Sequence, residues 1–178
     1  MKKLSLLLLT LALTGFSSLF AQVEEVNVTA EIIGNIDFTT SPATVTFGNV
    51  LADQTATVSA DPNGTNQNAD NAQRATITIG GALSEQTFAV SFGNGTLSKD
   101  DDQTKTIAFT TALFLASGAT TSGALNSSDS FTHASGETDI VLHVGGSLAA
   151  VPAADAGSYG TANAGGTAVT IDFAFTSI

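Results

Sequence analysis

Hydrophobic and polar residues alternate with a period of two along most of this chain. In each run the apolar side chains share one face, and the opposite face carries mostly threonine, serine and asparagine. This alternation predicts β-strands that bury one face. The threonines fit that interpretation because a β-branched side chain favours an extended backbone. Six runs show the pattern, at residues 26–32, 45–47, 56–60, 75–79, 88–92 and 169–175.

Two further segments predict strands by a weaker pattern. Residues 106–115 are almost all apolar or threonine, which indicates a strand covered on both faces or, alternatively, a short buried helix. Residues 137–144 alternate again and predict a strand that ends at Gly145 and Gly146.

Turn-forming residues separate these runs. Asn94 and Gly95 lie between two strand-like runs and predict a β-hairpin. The polar stretches 61–73 and 117–130 predict mobile surface loops. The pairs Gly34–Asn35 and Ser41–Pro42 predict short turns. With no linker and roughly eight to ten short strands, the chain is expected to be all-β, a single antiparallel β-sandwich of immunoglobulin-like or pilin-like type over residues 22–178.

The first 21 residues have the order of a secretory signal peptide. Lys2 and Lys3 are followed by an apolar run over residues 4–13, and small residues lead to a cleavage site after Ala21. Leu19 is large for its position, so the site is defined only to within a few residues. We therefore expect export to the periplasm, the cell surface or the medium. The apolar run is too short to span a bilayer, and no membrane span is expected in the mature chain.

Composition narrows the possible partners. The chain has 16 acidic residues and five basic ones, of which only Arg74, Lys99 and Lys105 lie beyond the signal peptide. Such an acidic surface argues against binding to nucleic acid or to anionic lipid. The absence of cysteine excludes disulfides, thiolate metal sites and a cysteine nucleophile.

The C-terminal third carries a pattern that resembles a known family. Residues 141–148 read VLHVGGSL, residues 156–159 read AGSY, and a last alternating strand follows at 169–173. Nearer the N-terminus, residues 45–50 read VTFGNV and precede a second strand at 56–59. This chain resembles the secreted bacterial family called domain of unknown function 4402. The resemblance implies a pilin-like β-sandwich without enzyme activity, and it singles out Gly145, Gly146, Leu148, Gly157 and Tyr159 as structural motif residues.

The motif residues also have a physical interpretation of their own. Gly145 and Gly146 permit positive φ or a close approach of backbone at a corner between strands. Tyr159, the only tyrosine, is expected to pack its ring at the edge of the core while its hydroxyl bonds a nearby carbonyl.

Catalytic motifs are absent from the sequence. It contains no G-x-S-x-G, no H-E-x-x-H and no phosphate-binding glycine loop. Asp129, Ser130 and His133 lie close together along a polar loop, but this is not the spacing of a constrained triad. We therefore expect no catalytic residues, no cofactor and no enzyme.

Three sets of residues are candidate metal ligands. A zinc site would need His133 and His143 together with Glu137 or Asp139; ordinary surface histidines are the favoured interpretation. Calcium is the better candidate, at Asp100, Asp101 and Asp102, because hard cations prefer carboxylate oxygens. A second set of oxygens lies in the polar loop, at Asp61, Asn63 and Asp70. The alternative for the three adjacent acids is a solvated turn that blocks edge pairing.

The favoured hypothesis is a secreted or cell-surface structural or adhesion-type protein, with a fimbrial-like subunit as its most specific form. Its partners would be copies of itself or other surface subunits, joined by strand addition. Residues 22–33 are then either a strand of their own domain or a donor strand for a neighbour. The alternative is an extracellular carbohydrate- or calcium-binding module, although exposed aromatic residues of the kind that bind sugars are scarce.

Overall fold

The computed structural model describes residues 36–41 and 44–176, and within them the fold is all-β. The signal peptide, the predicted strand at 26–32 and the Gly34–Asn35 turn lie outside the described residues. One short 3₁₀ helix, Ala153–Asp155, interrupts the strands. The strands in the described part are β1 (Asp37–Thr40), β2 (Ala56–Val58), β3 (Ala75–Gly80), β4 (Thr87–Phe92), β5 (Gly95–Lys99), β6 (Thr106–Ser117), β7 (Gly123–Leu125), β8 (Ser130–Thr132), β9 (Asp139–Leu148), β10 (Tyr159–Gly160) and β11 (Ile171–Thr176).

These strands form two antiparallel sheets in a sandwich-like arrangement, which confirms the predicted fold class. The large sheet has the order β1-β3-β9-β6-β5-β10, with β2 paired to β9 and β7 paired to β6. The small sheet has the order β11-β4-β8. The two longest strands, β6 and β9, are adjacent at the centre of the large sheet.

The core consists of two clusters, and the small sheet covers only the first. The first cluster joins both sheets and includes Phe88, Leu113 and Leu142. The second includes Phe47 of an irregular segment together with Ile107, Phe109 and other residues of the large sheet, but no strand of the small sheet. Irregular segments cover this second half, so the two ends of the sandwich are closed in different ways.

Strand β6 is confirmed as a strand, but the expectation that both of its faces are covered is wrong for most of its length. Ile107, Phe109 and Leu113 are buried, whereas Ala108 and Ala112 between them are exposed. The exposed positions between them are threonine and alanine, whose small side chains are readily accommodated on a solvent-exposed face. Burial in β6 therefore alternates. The sequence pattern does not show this because alanine, an apolar residue, occupies two of the exposed positions.

The prediction that a strand ends at Gly145 and Gly146 is also wrong, because β9 continues through both to Leu148. A Cβ at Gly145 would lie 2.3 Å from the Val58 carbonyl oxygen, and one at Gly146 would lie 2.3 Å from that of Thr110. The two glycines therefore permit a close approach of backbone, as expected, but within a strand rather than at a corner.

Asn94 and Gly95 do not form the predicted hairpin. The strands on either side belong to different sheets, since β4 pairs in the small sheet and β5 in the large one. The Asn94 side chain accepts a hydrogen bond from the Thr111 backbone N–H at 3.0 Å, and the Thr111 hydroxyl donates to the Gly93 carbonyl at 2.7 Å. These hydrogen bonds to β6 fix the point at which the chain passes from the small sheet to the large one, whereas the sequence alone predicts a local turn.

The remaining strand and loop predictions agree with the structure in part. The strands expected at 75–79 and 88–92 are β3 and β4, and the last strand begins at Ile171 rather than at 169. The stretch 117–130 is not only loop, because it contains β7. Residues 45–47 form a single isolated bridge, from Thr46 to Gln73, instead of a full strand.

The close approach at Gly145 gives a first prediction. Replacing Gly145 with alanine should lower the free energy of unfolding by about 1–3 kcal/mol, because β2 must shift to admit the new methyl group. Gly93→Ala is the matched control, since nothing lies within 4 Å of a Cβ there. Urea unfolding of both variants measures the difference, and equal stabilities would contradict the close approach.

Candidate functional site

A groove of about 1020 Å³ lies over the second core cluster and part of the first. One wall is formed by residues 44–52 and the other by residues 156–162 and 168–171. The floor consists mainly of side chains from the large sheet. These floor residues are Ala75, Ile77, Leu97, Ile107, Phe109, Val144 and Leu148. The name "the groove" refers below to this floor and its two walls.

The first wall is an irregular segment held at a few points. Its Thr46 and Asn49 bridge to Gln73 and Asp70. Gly48, at φ +64°, permits the bend between the two bridges. Phe47 points into the core, where its ring meets that of Phe109 edge-on at a centroid distance of 5.9 Å.

Beyond the bridges, this wall ends in an apolar lip made of Val50 and Leu51. Leu51 has 65% of its surface exposed and Val50 has 37%. The Leu51 backbone is nevertheless fixed, because its N–H donates to the Asn68 side chain at 3.0 Å. The lip therefore holds apolar side chains in solvent on a defined backbone.

Tyr159 anchors the second wall. Its hydroxyl donates to the Asp155 carbonyl at 2.6 Å, and its half-buried ring packs against the second core cluster. Both features confirm the physical interpretation made from the sequence. Farther along this wall, the Thr167 backbone bonds to Thr96 of β5, after which the chain crosses to the small sheet and becomes β11.

The residues that line the groove are all uncharged. They are apolar side chains, glycines and small neutral polar residues, with no Asp, Glu, Lys, Arg or His among them. In a protein with 16 acidic residues, this neutrality marks the groove as different from the rest of the surface. A charged ligand would lose its hydration there without gaining a partner, so the groove suits a neutral, largely apolar occupant.

The first wall, and the strands β1 and β11 that reach the groove at Thr40 and Ile171, each have a backbone edge without a bonding partner among the described residues. Among the described residues, β1 pairs only with β3, and β11 pairs only with β4. On one edge of the first wall, the Thr46 backbone bonds to Gln73. On the opposite edge, the backbone groups of Val45 and Phe47 have no backbone hydrogen bond within the described ranges. Phe38 of β1 and Phe173 of β11 stack at 5.4 Å, so the two free strands border the same side of the sandwich.

The three adjacent acids form an exposed turn between β5 and β6, in agreement with the solvated-turn interpretation. Asp100 accepts a bond from Asn163 at 2.6 Å, and Asp101 pairs with Lys99 at 3.3 Å. Hydrogen bonds from the hydroxyl and backbone of Thr104 hold the pKa of the Asp102 carboxyl below its usual value. Each acid thus has a different protein partner. In the described part of the chain, no three acidic or histidine side chains gather as metal ligands.

The prediction that both histidines lie at the surface is wrong for His133. His133 is 2% exposed, and its Nδ1–H donates to the Leu83 carbonyl at 3.1 Å. Its Nε2 is buried and has no partner within residues 36–41 and 44–176. His143 is half-buried on β9, with Nδ1 3.2 Å from the Thr76 hydroxyl. The Nδ1 atoms of the two residues have separate partners, and within the described part of the chain neither residue belongs to a group of three possible metal ligands.

The serine, aspartate and histidine near β8 do not form a triad. Asp129 accepts bonds from the backbone and side chain of Asn126, whereas His133 is oriented by Leu83. Ser130 is exposed at the start of β8.

The sequence pattern did not predict the apolar lip. Val50 and Leu51 belong to no alternating run, so the period-two pattern gave them no role. The available signal was their position, since Val50, Leu51 and Ala52 form a short apolar run between Asn49 and Asp53. An apolar run flanked by turn residues, too short for a strand, indicates either a buried loop or an exposed contact.

Comparisons with protein-family models and with curated proteins found no match for this chain. Among the described residues, no helix is long and apolar enough to cross a membrane.

The partners of the acidic turn predict an absence of calcium dependence. Millimolar calcium should leave the melting temperature unchanged relative to chelator, because each of the three carboxylates already has a partner. Thermal unfolding in calcium, in chelator and in magnesium at equal ionic strength measures the effect. A rise specific to calcium would contradict the prediction.

His143 predicts a pH dependence of stability. Burial, followed by the nearby charge of Arg74, lowers the pKa of His143 below its ordinary value of 6.5. The unfolded chain therefore binds a proton more readily, and stability should fall as the pH drops through about 6.5 and then level off below the folded-state pKa.

The measurement is urea unfolding of the protein and of His143→Gln between about pH 7.5 and pH 5. Glutamine retains a polar partner for Thr76 and does not titrate, so the variant should lose less stability over this range. An identical pH profile for both proteins would contradict the assignment to His143.

Proposed function

We propose that this protein is an exported structural or adhesion-type subunit without catalytic activity, and that it assembles by accepting an extended segment in the groove. The observation that carries the proposal is the combination of an uncharged apolar groove with backbone edges, at its first wall and at the adjoining strands β1 and β11, that no other described residue pairs with. Backbone edges bind another strand through main-chain hydrogen bonds, and an apolar floor binds every second side chain of that strand. The partner is another copy or another surface subunit.

Several sequence features support the same proposal. The leader-like first 21 residues are typical of an exported protein, and the resemblance to domain of unknown function 4402 implies a pilin-like unit. The arrangement also suits a building block physically. The exposed apolar lip and an unpaired backbone edge are unfavourable on a monomer in water, and an added strand would cover both.

The contacts of Tyr159 and of the acidic turn do not favour the alternative hypotheses of a carbohydrate-binding or calcium-binding module. Tyr159 is one aromatic residue that a sugar site would present, but its hydroxyl is bound to Asp155 and its ring packs on the core. The acids of the proposed calcium site are bound to Asn163, Lys99 and Thr104. We therefore favour assembly over ligand capture.

The lip offers a test of this proposal that does not disturb the core. Leu51→Asp places a charge at the mouth of the groove, at a residue that is already 65% exposed. The variant should fold with a melting temperature close to that of the unchanged protein but should lose multimers. Size-exclusion chromatography with light scattering, over a range of protein concentrations, measures the multimers.

Ala124→Asp is the matched control, because Ala124 is exposed on β7 and lies outside the groove. This control should assemble like the unchanged protein. Unimpaired assembly of Leu51→Asp, or an unchanged protein that is strictly monomeric at every concentration, would overturn the proposal.

A further inference from the structure

We infer that the outer face of the large sheet carries a second site, which binds a neutral saccharide. The site is a hollow of about 370 Å³ that shares no lining residue with the groove. It is lined by residues 57–61 and 110–114 and by Ala124, Gly146 and Ser147. The name "the hollow" refers below to these residues. The inference goes beyond the assembly proposed above and does not depend on it.

The hollow and the groove lie on opposite faces of the same sheet. Ile107 and Phe109 of β6 are buried and form part of the floor of the groove. Because side chains alternate along a strand, Thr110, Ala112 and Phe114 of β6 point to the outer face and line the hollow. A strand added at the groove therefore leaves the hollow accessible, so one subunit can assemble and bind a ligand at the same time.

A row of three hydroxyl side chains crosses one end of the hollow. Thr57 of β2 lies opposite Ser147 of β9, and Ser147 lies opposite Thr110 of β6. Within the part of the chain that the structure describes, none of these three hydroxyls has a hydrogen-bond partner. A hydroxyl both donates and accepts hydrogen bonds. The row therefore matches the hydroxyl groups of a sugar, which have the same two capacities.

An aromatic ring borders the other end of the hollow. Phe114 is partly exposed and lies about 13 Å from Thr110 along β6. Its neighbour across the sheet is Ala124 of β7, whose methyl group covers little of the ring. The C–H face of a sugar ring is apolar and packs on an aromatic side chain, while the hydroxyls at its edge need polar partners. The hollow supplies both kinds of contact, over a length that accommodates more than one sugar ring.

The charge of the hollow favours a saccharide that is neutral. Asp61 is the one charged residue among the described residues that line it. One Asp61 carboxylate oxygen accepts a hydrogen bond from the Asn63 backbone N–H at 2.9 Å, and the other has no partner in the described ranges. An ionised oxygen is a strong acceptor for sugar hydroxyls. A sialylated or sulfated sugar would instead place its anion beside Asp61, on a chain with 16 acidic and five basic residues.

Glycan binding by the purified protein is the first measurement. The labelled protein is applied to an array of neutral, sialylated and sulfated glycans. The neutral oligosaccharide that binds most strongly is then titrated in free form by isothermal titration calorimetry. We expect binding to neutral glycans on the array and binding of the same saccharide when it is free in solution.

Two substitutions in the hollow should each weaken the binding of the free oligosaccharide about tenfold, which corresponds to the loss of one good contact. Thr110→Val removes a hydroxyl at an exposed residue, and Phe114→Leu removes the ring but retains an apolar side chain. Thr106→Val is the matched control, because Thr106 is exposed on the same face of β6 but lies outside the hollow. Its affinity should equal that of the unchanged protein. Thermal unfolding verifies that all three variants are folded.

Two further variants separate this site from assembly. Ala124→Asp places a second carboxylate in the hollow, so it should weaken saccharide binding while the protein still forms multimers. Leu51→Asp should prevent multimers and leave the calorimetric affinity of each chain unchanged, because Leu51 lies at the groove.

Three results would overturn the inference. The unchanged protein binds no glycan on the array, or it binds sialylated or sulfated glycans in preference to neutral ones, or Thr110→Val and Phe114→Leu retain its affinity. None of these results bears on assembly through the groove, which the multimers of the Leu51→Asp variant test separately.

Discussion

The structure depends on one constraint: the inner faces of β6 and β9 must be removed from water along their whole length. Both strands run through the centre of the large sheet and present buried side chains to both core clusters. Burial of apolar surface is the main favourable term in folding, at about 25 cal/mol per Å². The small sheet has three strands and covers only the first cluster, so the remaining inner face must be covered in another way.

That remaining face explains the form of the groove. Irregular segments cover Ile107 and Phe109, anchored by Phe47 on one side and by Tyr159 on the other. They leave an uncharged hollow bordered by backbone that has spare hydrogen-bonding groups. Unprotected edges and exposed apolar residues normally promote aggregation. Here the exposed Val50 and Leu51 lie at the groove, where the strand addition proposed above would cover them.

Local features of the chain were predicted well where one residue type has one physical use. The alternation at 75–79 and 88–92 gave β3 and β4, because side-chain direction in a strand follows from position alone. The role of Tyr159 was predicted because a lone tyrosine after a turn must hydrogen-bond its hydroxyl when its ring is buried. The predictions of a hairpin at Asn94, of a strand end at Gly145 and of a surface position for His133 were wrong because each depends on a distant partner: Thr111 on β6, Val58 on β2, and Leu83 in another loop.

The sequence by itself determined that this is an all-β chain, which faces of its strands are apolar, and that no catalytic motif is present. A period of two is a local property, and it survives in any arrangement of the strands. Only the tertiary structure decided which strands pair, that the chain changes sheets at Gly93–Gly95, and that Val50 and Leu51 form a lip beside an open groove. Strand pairing and the covering of the core both depend on contacts between residues far apart in the chain. Their geometry follows from how the other elements cover the apolar surface, which no local pattern contains.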